Sequence, residues 1–280
     1  MRTAIQGIEG SYHDLAARKI FGEEAEILPC ETFGDVFRAV QEGGAERGVV
    51  AIENTVAGSL LPNYTRLRES GLAIRGEVYL QIRHCLIALP GESLETVREV
   101  RSHPMALAQC RSFLDERPDW RLVETSDTAS SVRFIHDRRL QGVAAIASRH
   151  AAQRYGMEIV RTGIETHHEN YTRFLVVASG STPEPEDANK ASLCFTLPHR
   201  QGSLSQALSI IAFYGFNLSK IQSLPIVGLP WQYLFYIDVE YDDRPLFGQG
   251  LDALRPLTRT LKILGMYPRS EKIIESEPEE

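Results

Sequence analysis

Gly180-Ser181-Thr182-Pro183-Glu184-Pro185-Glu186-Asp187-Ala188-Asn189 holds two prolines, three acids and no large apolar side chain. Such a run cannot bury surface. It reads as a linker and parts the chain into two differently patterned regions. After it come strand-like stretches at 192–197, 217–224, 233–241 and 263–267, with helical periods over 201–214 and 246–261. The order β-α-β-β-α-β is that of a small ferredoxin-like sheet with both helices on one face. Before the linker, short apolar runs at 3–6, 27–30, 49–52, 120–124, 143–147 and 174–178 alternate with helical periods. The run 74–89 holds one long strand or two short ones. Ser11, Thr32, Thr128 and Ser148 stand where helix caps belong, and a helix is expected from Ser102-His103-Pro104 to about Glu116. Strands alternating with helices predict an α/β region built on one or two mainly parallel sheets.

The whole chain has 280 residues, enough for about two domains. It is 43% hydrophobic and 24% charged, with a net charge of −7. That acidic balance argues against nucleic acid as a partner. No apolar run reaches the ~20 residues that span a bilayer, so no membrane is expected. The start Met1-Arg2-Thr3-Ala4-Ile5 turns polar at Gln6-Gly7, which reads as no signal peptide and a cytoplasmic location. Cys30, Cys85, Cys110 and Cys194 are scattered, never in a Cys-x-x-Cys pair, and read as reduced thiols.

Four strand exits carry small polar residues that then open a helix: Gly10-Ser11, Ser102-His103, Ser126-Asp127-Thr128 and Ala147-Ser148. A fifth, Glu53-Asn54-Thr55, ends in a loop. In an open α/β sheet the carboxyl ends of the strands line one crevice, and helix N-termini turned into it favour an anion. Taken singly, each of these residues reads first as a simple helix cap, and only several together point to a small-anion site. Phosphate-binding, dinucleotide and nucleophile-elbow motifs are missing. His167-His168 lack the spacing that puts two ligands on one helix face, and His84-Cys85 point to opposite sides of a strand. Chemistry without metal or cofactor is therefore expected. Asn170-Tyr171-Thr172-Arg173-Phe174 is the most unusual stretch, and local sequence leaves it open between a turn and a site.

These motifs, taken in order, resemble the prephenate dehydratases. The match rests on Glu53-Asn54-Thr55 with Gly58, His84-Cys85-Leu86, and Ser102-His103-Pro104-Met105-Ala106-Leu107-Ala108-Gln109-Cys110. It continues through Asp127-Thr128-Ala129, Ala144-Ala145-Ile146-Ala147-Ser148 and Asn170-Tyr171-Thr172-Arg173-Phe174. The resemblance implies a carbon–oxygen lyase that converts prephenate to phenylpyruvate, water and carbon dioxide on the way to phenylalanine. The implied catalytic region, 1–180, has two α/β subdomains arranged like a periplasmic binding protein, with the site in the cleft. The 181–190 linker follows, then a regulatory ACT domain over 191–269 and an acidic tail over 270–280. Carried over by position, Thr172 is the catalytic hydroxyl, flanked by Asn170, Arg173 and Phe174. Glu53, Asn54, Thr55, Ser102, Gln109 and Thr128 line the cleft, with Ser11 at a helix start beside it. Two roles stay open for Arg173, holding a substrate carboxylate or bracing the loop. Glu53 would repel a dianion and is expected to orient its neighbours instead.

The sequence departs from the family pattern at Thr55 (usually Ser), Met105 (usually Gln), Ile8 in the opening Gly7-Ile8-Glu9-Gly10, and Ser130-Ser131 in a run usually rich in alanine. In the ACT-like part, Gly202-Ser203-Leu204 and Gln222-Ser223-Leu224-Pro225 replace Gly-Ala-Leu and Glu-Ser-Arg-Pro. The resemblance implies that phenylalanine binds there as an inhibitor between paired domains, with backbone groups near Asn217-Leu218 holding its ammonium and carboxylate. It also implies dimers or tetramers. Three readings remain: a dehydratase acting on prephenate, the same chemistry on arogenate, and a non-catalytic amino-acid sensor.

Overall fold

The computed structural model describes residues 2–270 and the backbone of 272–273. Of the acidic tail, residues 271 and 274–280 lie outside the described residues. Two compact units divide the chain: Met1–Leu60 with Val78–Phe174 and Lys272–Glu280, and Leu61–Glu77 with Leu175–Glu271. In chain order the elements begin with β1 (Arg2–Gln6), α1 (Tyr12–Phe21), β2 (Glu26–Cys30), α2 (Phe33–Gln41), β3 (Arg47–Asn54), β4 (Gly58–Ser59), α3 (Leu61–Ser70) and β5 (Leu72–Gln81). Next come β6 (Cys85–Ala88), β7 (Glu99–Ser102), α4 (Pro104–Gln109), α5 (Arg111–Asp115), β8 (Arg121–Glu124), α6 (Thr128–Arg138), β9 (Val143–Ala147), α7 (Arg149–Tyr155), β10 (Glu158–Arg161) and β11 (Tyr171–Ser179). The chain ends with β12 (Lys190–Thr196), α8 (Ser203–Phe213), β13 (Asn217–Pro225), β14 (Tyr233–Glu240), α9 (Arg244–Leu254), β15 (Thr260–Tyr267) and β16 (Lys272–Ile273).

The first unit contains two α/β lobes. In the first lobe β1 lies between β2 and β3, parallel to both, and β11 flanks β3. The βαβ order forces the intervening helices onto the sheet, where Leu15, Ala16, Val36, Phe37 and Val40 are buried. Thr32 starts α2 as expected, in a reciprocal capping box with Asp35. The second lobe has strand order β10-β6-β9-β7-β8, with β7 parallel to β8 and β9, and β6 antiparallel to β9 and β10. The sheet is thus mixed rather than mainly parallel, because β6 and β10 adjoin the segments that cross between lobes. The run 74–89 is two strands, broken at 82–84.

Other local expectations need correction. The helix expected through 102–116 is two helices, α4 and α5, divided at Cys110 (φ −102°, ψ 19°), where the chain turns so that Ala106, Leu107, Cys110 and Leu114 all reach the core. Asp127, not Thr128, caps α6, because its carboxylate accepts the Ser130 N–H at 2.7 Å. Similarly, His103 caps α4 through its ring nitrogen.

In the second unit, β12, α8, β13, β14, α9 and β15 follow the expected β-α-β-β-α-β order, and the strands pair antiparallel as β13-β14-β12-β15. Their inner face buries Leu193, Phe195, Ile237 and Val239 against Ile211, Phe247 and Leu251. Helix α9 stops at Leu254, not at residue 261. Pro256 lacks an N–H and its ring would clash with the carbonyl four residues back, so strand β15 starts at Thr260. Lys190, at the end of the expected linker, is already the first residue of β12. Its ammonium is buried and lies 3.0 Å from a carboxylate oxygen of Glu77, which is also buried.

Candidate active site

Two chain crossings join the lobes of the first unit, 82–84 outward and 162–170 back. They are zipped together: Ile82 N–H donates to Asn170 O (2.7 Å), Ile164 N–H to His84 O (3.2 Å) and His84 N–H to Glu165 Oε2 (2.9 Å). Helix α7 of the second lobe also grips the β1–α1 turn of the first. Ser148 Oγ donates to Gly10 O, His150 Nε2 lies 2.9 Å from Asp14 Oδ2, and Arg154 pairs with Glu9. Gly10 has φ +89°, and a Cβ there would come within 3.2 Å of the Ala151 backbone, so only glycine admits this approach. Burial opposes the charge on Asp14. Hydrogen bonds from His150 and the Gly10 N–H, together with Arg18, outweigh it and hold the carboxyl below its usual range.

Where β3 ends against the start of β11, one amide organises the surroundings. Asn54 Oδ1 accepts the Val56 and Ala57 N–H groups at 3.0 and 2.7 Å, which fixes the sense of the side chain. Its Nδ2 then donates to Asn170 Oδ1 (2.7 Å), Thr172 Oγ1 (2.9 Å) and Tyr171 O (3.2 Å). Thr55 Oγ1 accepts the Tyr171 N–H at 2.9 Å and donates to Glu169 O at 3.2 Å. Asn54, Thr55, Asn170 and Thr172 therefore form one bonded cluster. Thr172 accepts a bond, and its own hydroxyl proton has no acceptor among the described residues. Asn170 is buried, yet its Nδ2 has no partner. The cluster holds two unused donors and no formal charge, an arrangement suited to an oxyanion or a departing hydroxyl.

The remaining sequence candidates are placed differently. Gln109 Oε1 lies 2.9 Å from His84 Nε2, and the Gln109 carbonyl accepts the Thr166 N–H at the returning crossing. Ser102 is fully buried, and its hydroxyl donates to Ile146 O at 2.6 Å. Ser11 spends its oxygen on the Asp14 N–H as the cap of α1. Glu53 pairs with Ser59 in the β3–β4 register, half-buried. Thr128 is the half-buried first residue of α6. Alternation along β11 sends Arg173 to the face opposite Thr172, where its guanidinium lies 5.9 Å from the centre of the Tyr79 ring. Phe174 is a core residue, edge-on to His13 at 5.0 Å. His13 is half-buried there, and desolvation pushes its pKa down to about 3.

Of the regulatory candidates, Gly202 (φ +80°) precedes α8 whose first residues are Ser203 and Leu204, and the Ser203 Oγ is buried without a partner. Asn217, Leu218, Gln222, Ser223, Leu224 and Pro225 all lie on β13, at the edge of the β13-β14-β12-β15 order. Asn217 Nδ2 donates to Glu240, and Gln222 Nε2 donates to the Ser223 carbonyl. Sequence reasoning missed Tyr12, Glu165 and the Asp14–His150 pair. None has a local signature, because each acquires its partner only when the two lobes meet.

A family model described as prephenate dehydratase matches residues 3–182. The chain is 38% identical to arogenate dehydratase/prephenate dehydratase 2 of Arabidopsis thaliana, over 96% of this chain and 73% of that protein. It is 32% identical to the bifunctional chorismate mutase/prephenate dehydratase of Escherichia coli K12, over 99% of this chain and 73% of that protein. Among solved structures, the Arthrobacter aurescens prephenate dehydratase in complex with L-Phe superposes with a TM-score of 0.83 at 27% identity, covering 96% of this chain and 90% of that one. A protein described as a novel type of quorum-quenching acylase superposes with a TM-score of 0.85 at 33% identity, covering 96% and 98%.

Proposed function

The chain belongs to the prephenate dehydratase family, and on that premise we propose that it converts prephenate to phenylpyruvate, water and carbon dioxide with Thr172 as the catalytic hydroxyl. The observation that carries this reading is the Asn54 amide, which occupies the oxygen of Thr172 and leaves its proton to give. The reaction is a decarboxylating dehydration. The electrons of the breaking ring–carboxylate bond move into the ring, which becomes aromatic as the hydroxyl on its far side leaves. That hydroxyl departs as water only when a proton or a strong hydrogen bond reaches it. Help of this kind is worth about 10²–10⁴-fold. A threonine hydroxyl is a weak acid, so its contribution is a positioned hydrogen bond, with orientation and local dipoles supplying the rest. The free Asn170 amide serves as a second donor to the dianion. Arg173 braces the strand from the opposite face, and Glu53, Thr55, Ser11, Ser102 and Thr128 shape the surroundings of the site. Gln109 contacts substrate through its side-chain amide.

The second unit serves as an ACT-type regulatory domain that takes L-phenylalanine near Gly202, Ser203 and β13, in dimers or tetramers of the chain. The relative of known structure that holds L-Phe supports this part of the reading. Among the described residues no helix is long and apolar enough to cross a membrane, and a biosynthetic enzyme of this kind belongs in the cytoplasm.

Arogenate is the second substrate to consider, given the plant relative's description. An acylase reading is favoured by one structural neighbour. Acyl transfer by a serine needs a base on its hydroxyl, and among the described residues no serine hydroxyl is bonded to a histidine. The deciding experiment incubates the purified protein with prephenate, arogenate and an acylated quorum-sensing signal in turn. Phenylpyruvate from prephenate is the expected product, lost in Thr172→Ala and largely kept in Thr172→Ser. A folded Thr172→Ala variant with normal turnover removes the assignment.

A further inference from the structure

We propose that Asp127 is a specificity-determining residue that lets the site take arogenate, its carboxylate receiving the substrate's ammonium at the end remote from Thr172. This rests on the reading of the Asn54–Thr172 cluster as the place of dehydration. Asp127 precedes α6 of the second lobe, where its Oδ2 accepts the Ser130 N–H at 2.7 Å. Its Oδ1 faces the first lobe. A Cβ on Gly7, which follows β1 with φ +95°, would lie 3.4 Å from that oxygen and also 3.4 Å from Ser11 Oγ. Three residues from two lobes thus converge on one point, and Gly7 places no side chain there. Ser11 is 2% exposed. Its oxygen accepts the Asp14 N–H, while its hydroxyl proton has no acceptor among the described residues.

The chemistry of this corner suits an α-amino acid. Ser11 donates, and the N-terminus of the ten-residue helix α1 that it caps favours a carboxylate. Asp127 accepts, and it forms no ion pair among the described residues. Burial pushes its carboxyl above the usual range, and the N–H groups of Ser130 and Thr128 with the nearby His103 offset that only in part. A half-buried carboxylate without a cation is costly, and an incoming ammonium supplies one. A keto group supplies none, so the corner separates the two substrates by charge. Position agrees with this. Ile5 of β1 is level with Val49 of β3, so Gly7 lies three residues short of Asn54 on the neighbouring strand. On strand spacings the two corners are about 11 Å apart, backbone to backbone. In both substrates the departing hydroxyl and the amino- or keto-acid arm stand at opposite ends of one ring. With the hydroxyl at Thr172, the arm reaches towards Gly7, Ser11 and Asp127.

The test compares initial rates of phenylalanine formation from arogenate with those of phenylpyruvate formation from prephenate. It uses the unaltered chain, Asp127→Asn and Asp127→Ser. Asparagine and serine cap helices about as well as aspartate, so α6 keeps its start, and circular dichroism checks each fold. Loss of one hydrogen bond between charged partners is expected to raise KM for arogenate about 10–100-fold. KM for prephenate is expected to fall several-fold, because a carboxylate no longer faces the anionic arm. A merely structural role would move both substrates the same way. If the ratio of kcat/KM values, arogenate over prephenate, drops less than about tenfold in every folded variant, the proposal is overturned. An unaltered chain that turns over prephenate and not arogenate also overturns it, and either result leaves Thr172 as the catalytic hydroxyl. Turnover of neither substrate by the unaltered chain overturns that underlying reading as well.

Discussion

Asn54→Ala tests the centre of the proposed site. The side chain is 8% exposed and donates to three acceptors with two amide protons, so its loss removes about two full hydrogen bonds. It also releases the two backbone N–H groups that its oxygen holds in the turn after β3. At ~1 kcal/mol for each neutral bond the stability cost is about 2–4 kcal/mol, a substantial share of a domain's margin. The catalytic cost has a separate origin. Without Asn54 the Thr172 hydroxyl rotates freely, and its oxygen no longer has a fixed donor. If the positioned hydroxyl contributes ~10²-fold, its loss is about 2.7 kcal/mol in the barrier. Steady-state assays with prephenate are expected to show kcat lowered by this factor and KM changed much less. The decisive comparison uses Thr172→Ala as the background. If Asn54 acts through Thr172, removing Asn54 there lowers kcat by no more than a few-fold. A full hundredfold further loss, or a folded Asn54→Ala enzyme with kcat within threefold of the unaltered protein, refutes the reasoning.

Three other expectations follow from groups elsewhere in the chain. Lys190→Met leaves the buried Glu77 carboxylate without the ammonium 3.0 Å away and should destabilise the protein by about 3–5 kcal/mol in chemical denaturation. Lys190→Met with Glu77→Leu should recover most of that loss, and an unrecovered double variant counts against a charge-pair origin. Gly202→Ala puts a side chain at φ +80°, where its Cβ meets no atom within 4 Å, so strain is confined to the backbone that opens α8. Calorimetry should then show weaker L-phenylalanine binding with uninhibited turnover unchanged; identical binding argues against a ligand at that helix start. Asp14, whose folded pKa lies below the ordinary 3.8, contributes stability that is present above that value and lost as pH falls through its lower folded value. The thermal midpoint should therefore fall less steeply in acid for Asp14→Asn than for the unaltered chain, and parallel curves would show that the α1–α7 clasp carries no such linkage.

Local chemistry made much of the fold legible. Thr32 with Asp35, and Ser11 before Tyr12, announce helix starts because a cap needs only three or four residues. The β-α-β-β-α-β order after the linker follows from periodicity alone. The errors were local as well, at Pro256, which stops α9, and at Cys110, where α4 gives way to α5. Of the site, the stretch Asn170–Phe174 could be marked as unusual, but alternation along β11 then separates its members. Thr172 faces Asn54, Arg173 turns to the other side, and Phe174 enters the core beside His13.

Element order and most caps were thus encoded in short windows, where each residue's conformational preference acts on its immediate neighbours. The polarity of the site was not. Asn54 and Thr172 are 118 positions apart, Tyr12 and His84 are 72 apart, and His84 and Gln109 are 25 apart. Which of their atoms donates and which accepts is decided only when β3 meets β11 and two crossings bring the lobes together, since a hydrogen bond has no direction until both partners are in place.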